Sequence, residues 1–400
     1  MRKVKMNHLL LMVVLLVSIA LSGCATSNSK ESSTNTNENA KVAETIKIGM
    51  IYDVTGGGSV LGVPQRNTIK LLVDETNANG GINGKKIELI EADNQSNETK
   101  ALTEAKRMIN QENVIAIIGG AQSTTSLSMI PAIEEAGVPY ISQGSVQAII
   151  EGKQWTFRTP PADKLLTKVL LEDAKKRGIK TIAVLRVNND YGKSGETALK
   201  EHAAEMGMEV VGAEQFNADA KDVKVQLTNL MKNNPDAIVT WAIPPGSAVA
   251  AKDFYELGLS KKAQYYTSSA NANPAFIELA GEGAEGVRFP SYKFQVIDNI
   301  PETDPQYKVI KDFKTKYEEK YKTSEYQVSN AADAWYLLSN AIEKSGDNVT
   351  KESIREQLET TQGLVGQIGI YNMSKDNHNG LDGSGLVMLE VKDGKFQLIK

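Results

Sequence analysis

Three stretches place small polar residues where an apolar run ends and a helix is due to begin. Gly119-Gly120-Ala121-Gln122-Ser123-Thr124-Thr125-Ser126 follows the run Val114–Ile118, Ser142-Gln143-Gly144-Ser145 closes the run Val138–Ser142, and Asn188-Asn189-Asp190-Tyr191-Gly192 follows Thr181–Leu185. Small side chains let a ligand reach the backbone, and free N–H groups with hydroxyls at a helix start suit a carboxylate. The chemistry on offer is capture of a small anion, with Tyr191 as an aromatic wall. The same residues suit a capped surface loop with Ser123 as N-cap, and a tyrosine that merely packs.

Reaction chemistry has little to stand on. His202 lies in a polar helical stretch and His378 in a loop, and both read as surface residues with no metal or acid–base partner in their surroundings. The glycines from Gly56 to Gly62 sit between a strand and a helix as a phosphate loop would, but their spacing is GxGxxxG and not that of a dinucleotide loop. Asp53 and Asp93, at strand ends, fit turn and capping roles. With one cysteine in 400 residues there is no disulfide framework and no Cys-based metal cage, and no metal or cofactor is expected. The balance of 45 Lys+Arg against 49 Asp+Glu, a net charge of −4, gives no basic face for nucleic acid.

The cysteine is informative by its place. Arg2, Lys3 and Lys5 precede an apolar run from Leu9 to Leu21, which ends in Leu21-Ser22-Gly23-Cys24. The run is shorter than the ~20 residues a membrane-crossing helix needs, so it reads as a signal peptide over residues 1–23. Residues 25–45 carry four Ser, four Thr and four Asn and no aromatic. Such a composition cannot bury enough apolar area to offset its ordering entropy, so 24–45 reads as a flexible tether.

The elements that must hold the three polar stretches follow from the apolar pattern. Ile46–Val54, Lys86–Ala92, Val114–Ile118 and Val138–Ser142 read as strands alternating with helices, the first helix carrying Pro64 in its opening turn. Pro131 predicts a kink or break in the helix after Ser123. The succession restarts with a helix from Lys164 to Lys176 and strands Thr181–Leu185, Glu209–Gln215, Ala237–Trp241 and Gln264–Thr267. Helices over Gln306–Lys320, Val328–Ser345 and Glu352–Glu359 follow, then a short strand near Gly369 and a hairpin turning at Asp393-Gly394. The fold class is α/β, with two lobes of parallel sheet.

Several stretches in order resemble the solute-binding lipoproteins of ABC importers, of the branched-chain amino-acid (Leu/Ile/Val-binding) type of periplasmic binding protein. They are Asn79-Gly80-Gly81-Ile82-Asn83-Gly84-Lys85-Lys86-Ile87-Glu88, the Asp93 segment with Ala101, Ile117-Ile118-Gly119-Gly120 running into Ser123-Thr124, Glu135-Ala136-Gly137-Val138-Pro139, Phe157-Arg158-Thr159 and Asp190-Tyr191-Gly192. The resemblance spans Ile46–Lys400. It implies two Rossmann-like lobes joined by three crossovers, lobe 1 over 46–160 plus 293–370 and lobe 2 over 161–292 plus 371–400, with ligand held in the cleft. Leu21-Ser22-Gly23-Cys24 resembles the lipobox, which implies a diacylated Cys24 as the mature N-terminus.

The resemblance also implies site residues. The carboxylate-binding serine matches Ser123, beside Gln122 and with Thr124 and Thr125 adding helix-start amides. The loop that holds the ligand amine matches Gly144, Ser145 and Val146, and the family tyrosine matches Tyr191. An aromatic of the first loop falls at Leu61, and one of the second lobe falls near Ile243, beside Trp241. The acid that salt-bridges the ammonium falls at Ser269, and Val146 stands where a Thr is usual. A buried ammonium without a carboxylate costs several kcal/mol, so the expected ligand is a small carboxylate such as a keto, aliphatic or aromatic acid. An amide and a branched-chain amino acid are the alternatives. The expected function is that of a monomeric, lipid-anchored extracytoplasmic receptor, on a Gram-positive cell surface, delivering solute to an importer permease. A ligand-sensing receptor module of the same fold is the rival, and no catalysis is expected.

Overall fold

The computed structural model describes residues 45–323 and 325–399. The signal peptide, Cys24 and the tether up to residue 44 lie outside the described residues. Strands β1 (Ile46–Tyr52), β2 (Ile87–Asp93), β3 (Ala116–Gly119), β4 (Tyr140–Ser142) and β5 (Thr156–Arg158) form one sheet in the order β2-β1-β3-β4-β5, every pair parallel. Helices α1 (Ser59–Ala78), α2 (Glu98–Arg107) and α3 (Ser123–Ala136) connect the first four strands. All residues of β3 and β4 are buried, which is why these strands read as unbroken apolar runs.

After α4 (Asp163–Lys176) the plan repeats. Strands β6 (Thr181–Val187), β7 (Glu209–Phe216), β8 (Ala237–Trp241), β9 (Gln264–Thr267) and β10 (Arg288–Tyr292) are linked by α5 (Asp190–Glu205), α6 (Lys224–Met231), α7 (Gly246–Glu256) and α8 (Pro274–Ala280). They run parallel in the order β7-β6-β8-β9-β10, the order of the first sheet. The chain then returns to the first core with α9 (Tyr307–Tyr321), α10 (Gln327–Lys344) and α11 (Lys351–Glu359), and α10 packs along α1. A small hairpin, β11 (Leu364–Val365) with β12 (Ile370–Tyr371), precedes β13 (Leu386–Lys392) and β14 (Lys395–Leu398), which extend the second sheet antiparallel. The β13–β14 turn has Asp393 at φ 52° and Gly394 at φ 67°, the double positive φ that a tight hairpin demands.

Three passages therefore join the two sheets: 159–162, the segment after Tyr292, and 372–385. The first and third are tied together. Asn379 Nδ2 donates to the carbonyls of Arg158 and Pro160, both at 2.9 Å, and Arg158 N–H donates to the His378 carbonyl at 3.1 Å. Tyr371 donates its hydroxyl to the Thr159 carbonyl and to buried Asp333, which also accepts from the Gln367 and Ile368 N–H groups.

Several local expectations are corrected. Helix α1 starts at Ser59, so Pro64 lies inside it and not in its opening turn. Helix α3 runs through Pro131 without a break, because Met129, Ile130 and Ile133 hold the helix in the core on both sides of the missing donor. Ser123 is the first helical residue, and the N-cap position belongs to Gln122. Both histidines are buried, not on the surface. His202 Nδ1 lies 2.9 Å from Thr167 Oγ1, and the His378 ring stacks on Phe157 with centroids 4.1 Å apart. Asp53 and Asp93 do serve turns: Asp93 accepts from the N–H groups of Val54, Thr55 and Gln95.

Candidate ligand-binding site

In a 2-1-3-4-5 parallel sheet the chain leaves the central strand to opposite sides, which opens a crevice at the carboxyl ends of the strands. Here both sheets turn that edge toward one cavity. Ala121 to Thr124 reach it from the end of β3, Gln143 to Ser145 from β4, Asn189 and Tyr191 from β6, Ile243 from β8, Ser269 and Ala270 from β9, and Tyr292 from β10. Leu61 and Gln65 on α1, Pro160 and Leu166 around the first passage, and Tyr326, Gln327 and Asn330 at the start of α10 complete the wall. The cavity is about 60 Å³. At roughly 10–15 Å³ per water, that is the room of a few waters, the size class of one small organic solute.

The start of α3 is built from beneath. Gly119, at φ 147°, ends β3 so close to β1 that a Cβ would stand 1.9 Å from the Ile51 carbonyl oxygen. Asp53, fully buried, accepts from Ala121 N–H at 3.1 Å, Gln122 Nε2 at 2.8 Å, Asn94 Nδ2 at 3.2 Å and the Thr125 hydroxyl. Burial pushes the Asp53 carboxyl upward, and these donors pull it back. With the loop fixed, no side chain caps α3, so its first turn presents Ser123 and Thr124 to the cavity.

The neighbouring loop is tied to that turn and to α4. Ser145 N–H donates to Ser123 Oγ at 3.2 Å, and Ser145 Oγ donates to Asp163 Oδ1 at 3.0 Å. Buried Arg158 donates through Nη1 to the Ser145 and Val146 carbonyls at 2.8 and 2.9 Å. Burial lifts Asp163 to about 6, against the Ser194 and Ser145 hydroxyls and the Arg158 charge, which hold it down. Arg158 is drawn down to about 10 by the same burial.

The cavity collects most of the residues that the sequence singled out: Leu61, Gln122, Ser123, Thr124, Gly144, Ser145, Tyr191 and Ser269. Two stand outside its wall. The Val146 side chain packs in the apolar core with Val138 and Tyr140. Trp241 lies fully buried behind Tyr191, its indole filling the space a Cβ on Gly195 would need. Sequence reading placed Gln143 and Asn189 in the polar stretches without giving them a role, and missed Gln65, Tyr292, Tyr326, Gln327 and Asn330. Helical spacing could have found some of them, since Gln65 follows Leu61 by four and Asn330 follows Gln327 by three. Among the described residues no charged side chain lines the cavity, and none group as a metal site.

A family model described as periplasmic binding protein matches residues 45–395. The chain belongs to that family. It is similar to the Leu/Ile/Val-binding protein homolog 7 of Brucella abortus, 23% identical over 374 residues that cover 89% of this chain and 92% of that one. It is 26% identical to the leucine-, isoleucine-, valine-, threonine- and alanine-binding protein of Pseudomonas aeruginosa, over 81% of this chain and 86% of that one. Among solved structures it resembles an extracellular ligand-binding receptor from Rhodopseudomonas palustris at TM-score 0.84 and 26% identity, covering 89% of this chain and all of that one. The chain is thus a solute-binding protein of the Leu/Ile/Val-binding type, with the family's two-lobed type I fold, from a family of extracytoplasmic binders and not of enzymes. Among the described residues no helix is long and apolar enough to cross a membrane.

Proposed function

We propose that this chain is the receptor of an ABC importer, anchored through a diacylated Cys24, which closes over a small carboxylate lacking an α-ammonium and hands it to the permease. The observation that carries the ligand class is the wall of the cavity: an uncapped helix start at Ser123 and Thr124, and no charged side chain among the other described residues of the wall. The helix start favours an anion. An ammonium would have no counter-charge, because Asp53 is engaged by four donors and Asp163 faces Ser145 and Arg158. The Pseudomonas relative is named for binding leucine, isoleucine, valine, threonine and alanine, which supports a small carboxylate. Those solutes also carry the α-ammonium for which this cavity wall offers no counter-charge.

In this reading lobe 1 is 46–160 plus 293–370 and lobe 2 is 161–292 plus 371–400, moving about the tied passages. Ser123, Thr124, Gly144 and Ser145 hold the solute from lobe 1, and Tyr191 and Ser269 from lobe 2. Micromolar affinity corresponds to about −8 kcal/mol. Burying ~200 Å² of apolar solute at ~25 cal/mol per Å², together with one anion clamp, is of that order before ordering costs.

The test is a thermal-shift panel on the purified chain in detergent, after refolding to strip bound solute. It holds branched-chain amino acids, their keto acids, aromatic carboxylates and small amides. Saturation at ~100 Kd should add ~2.7 kcal/mol, a shift of several degrees. Keto or aromatic acids should shift the transition while amino acids leave it in place. Leucine, isoleucine or valine as the strongest ligand would sink the ligand assignment. Cys24→Ser should release the protein from membranes, and retention of the variant would rule out the lipid anchor.

A further inference from the structure

We infer that, besides its carboxylate, the solute carries an uncharged group that both donates and accepts hydrogen bonds, a hydroxyl or a carboxamide, read by Gln65, Gln143, Gln327 and Asn330. This rests on the solute-receptor reading above and specifies the rest of the molecule the cavity holds. The four side chains come from three elements, α1, the loop after β4 and the first turn of α10, and meet only at the cavity wall. They are 1%, 3%, 1% and 5% exposed.

Their polar ends are only partly used by the fold. Gln65 Oε1, Gln327 Nε2 and Asn330 Oδ1 are buried with no hydrogen-bond partner among the described residues. Neither polar atom of Gln143 reaches hydrogen-bond geometry, although the equally unpartnered Tyr52 hydroxyl lies close enough to interact with its carboxamide. Gln327 shows the division of labour within one side chain: its Oε1 accepts from Asn273 Nδ2 at 3.1 Å, which leaves its amino group for the cavity. The other two carboxamides on the wall differ, since Gln122 donates to Asp53 and Asn189 caps α5 through Gly192 N–H.

A buried amide without a partner is costly, and four at one small cavity demand a common explanation. The free set holds three acceptors and two amino donors. A carboxylate there would face the acceptors, and an ammonium would face the donors with no counter-charge. A hydroxyl or a carboxamide matches both, because each donates and accepts without a charge.

Titration calorimetry on the purified full chain, stripped of solute, with one scaffold varied at one position separates the cases. The probes are benzoate, 4-hydroxybenzoate, 4-carbamoylbenzoate and 4-(aminomethyl)benzoate, with leucine and 4-hydroxybenzamide beside them. The hydroxyl or carbamoyl acid should bind at least about tenfold tighter than benzoate, and the aminomethyl acid weaker than benzoate. Which of the two neutral groups wins identifies the source of the hydrogen bonds. Gln143→Met, near in shape, should erase the tenfold gain, the hydroxyl and carbamoyl acids then binding that variant no tighter than benzoate does. If that variant does not fold, the wild-type series alone decides. Equal binding of substituted and unsubstituted acids overturns the inference and leaves the carboxylate reading standing, whereas preference for the aminomethyl acid or leucine overturns both. Binding of 4-hydroxybenzamide but of no acid leaves the inference standing and overturns the carboxylate reading. Silence from every probe overturns both.

Discussion

The hydroxyl of Ser145 donates to the carboxylate of Asp163 at 3.0 Å, and so joins the loop after β4 in the first sheet to the opening turn of α4, which leads into the second. Ser145 lines the cavity and Asp163 stands behind it. Any change at the cavity mouth is therefore felt by a buried carboxyl held at about 6, and the reverse.

Stability should fall as pH rises through the weakly acidic range. Burial lifts Asp163 to about 6 and Asp333 to about 7, from an ordinary 3.8. The unfolded chain gives up these protons first, so between about pH 4 and 7 it binds fewer protons than the fold, and the stability of the fold drops until both groups are ionised. Urea unfolding at pH 4.5, 6 and 7.5 should show that slope. Asp163→Asn cannot ionise and should remove the Asp163 share of the slope while the Asp333 share remains, gaining on the order of 3 kcal/mol over the parent at pH 7.5 and little at pH 4. A variant less stable than the parent at pH 7.5 would show that Arg158 depends on the Asp163 charge more than burial opposes it.

Ser123→Ala separates binding from folding. Because Gln122 occupies the N-cap position, the substitution removes only the acceptor of the Ser145 N–H bond. A loss of about 1 kcal/mol of stability is expected, with at least tenfold weaker solute binding. A loss of binding matched by a collapse of the thermal transition would mean that the serine acts through the fold alone.

Asn379 supplies two of the hydrogen bonds that tie the first and third passages, beside the backbone bond from Arg158 to His378. Asn379→Ala leaves the Arg158 and Pro160 carbonyls without their donor inside the protein. Chemical denaturation should register a cost of about 2–3 kcal/mol. Because the tie lies between two of the passages that join the sheets, faster amide exchange should concentrate in 158–162 and 377–381.

Gly119→Ala should be among the most damaging single changes in the chain. The residue sits at φ 147°, and the added methyl would stand 1.9 Å from a backbone oxygen of β1, which no rotamer change relieves. Expression of insoluble or unfolded protein is expected. Gly80→Ala, at φ 101° with open space around it, should lose no more than about 1–2 kcal/mol. Equal behaviour of the two variants would show that φ alone, and not the approach of β3 to β1, sets the need for glycine at Gly119.

The sequence by itself determined the elements and their alternation. Apolar runs such as Ala237–Trp241, the Asp393-Gly394 turn and the helix ending before Gly178 depend on neighbours a few residues away, so their signals are local and legible. The loops at Ser123, Ser145 and Tyr191 were legible for the same reason, since each follows directly on a strand end. Tertiary structure decided everything that joins distant segments. His202 and His378 look polar in sequence and are buried because Thr167 and Phe157 come to meet them. Val146 and Gln143 stand in one loop, yet the fold turns the valine into the core and the glutamine to the cavity. Gln327 and Leu61 share a wall although more than two hundred residues separate them. Local pattern fixes which way a chain turns over a few residues. Which side chains then face one another depends on how two sheets and three passages close together, and no short window of sequence carries that information.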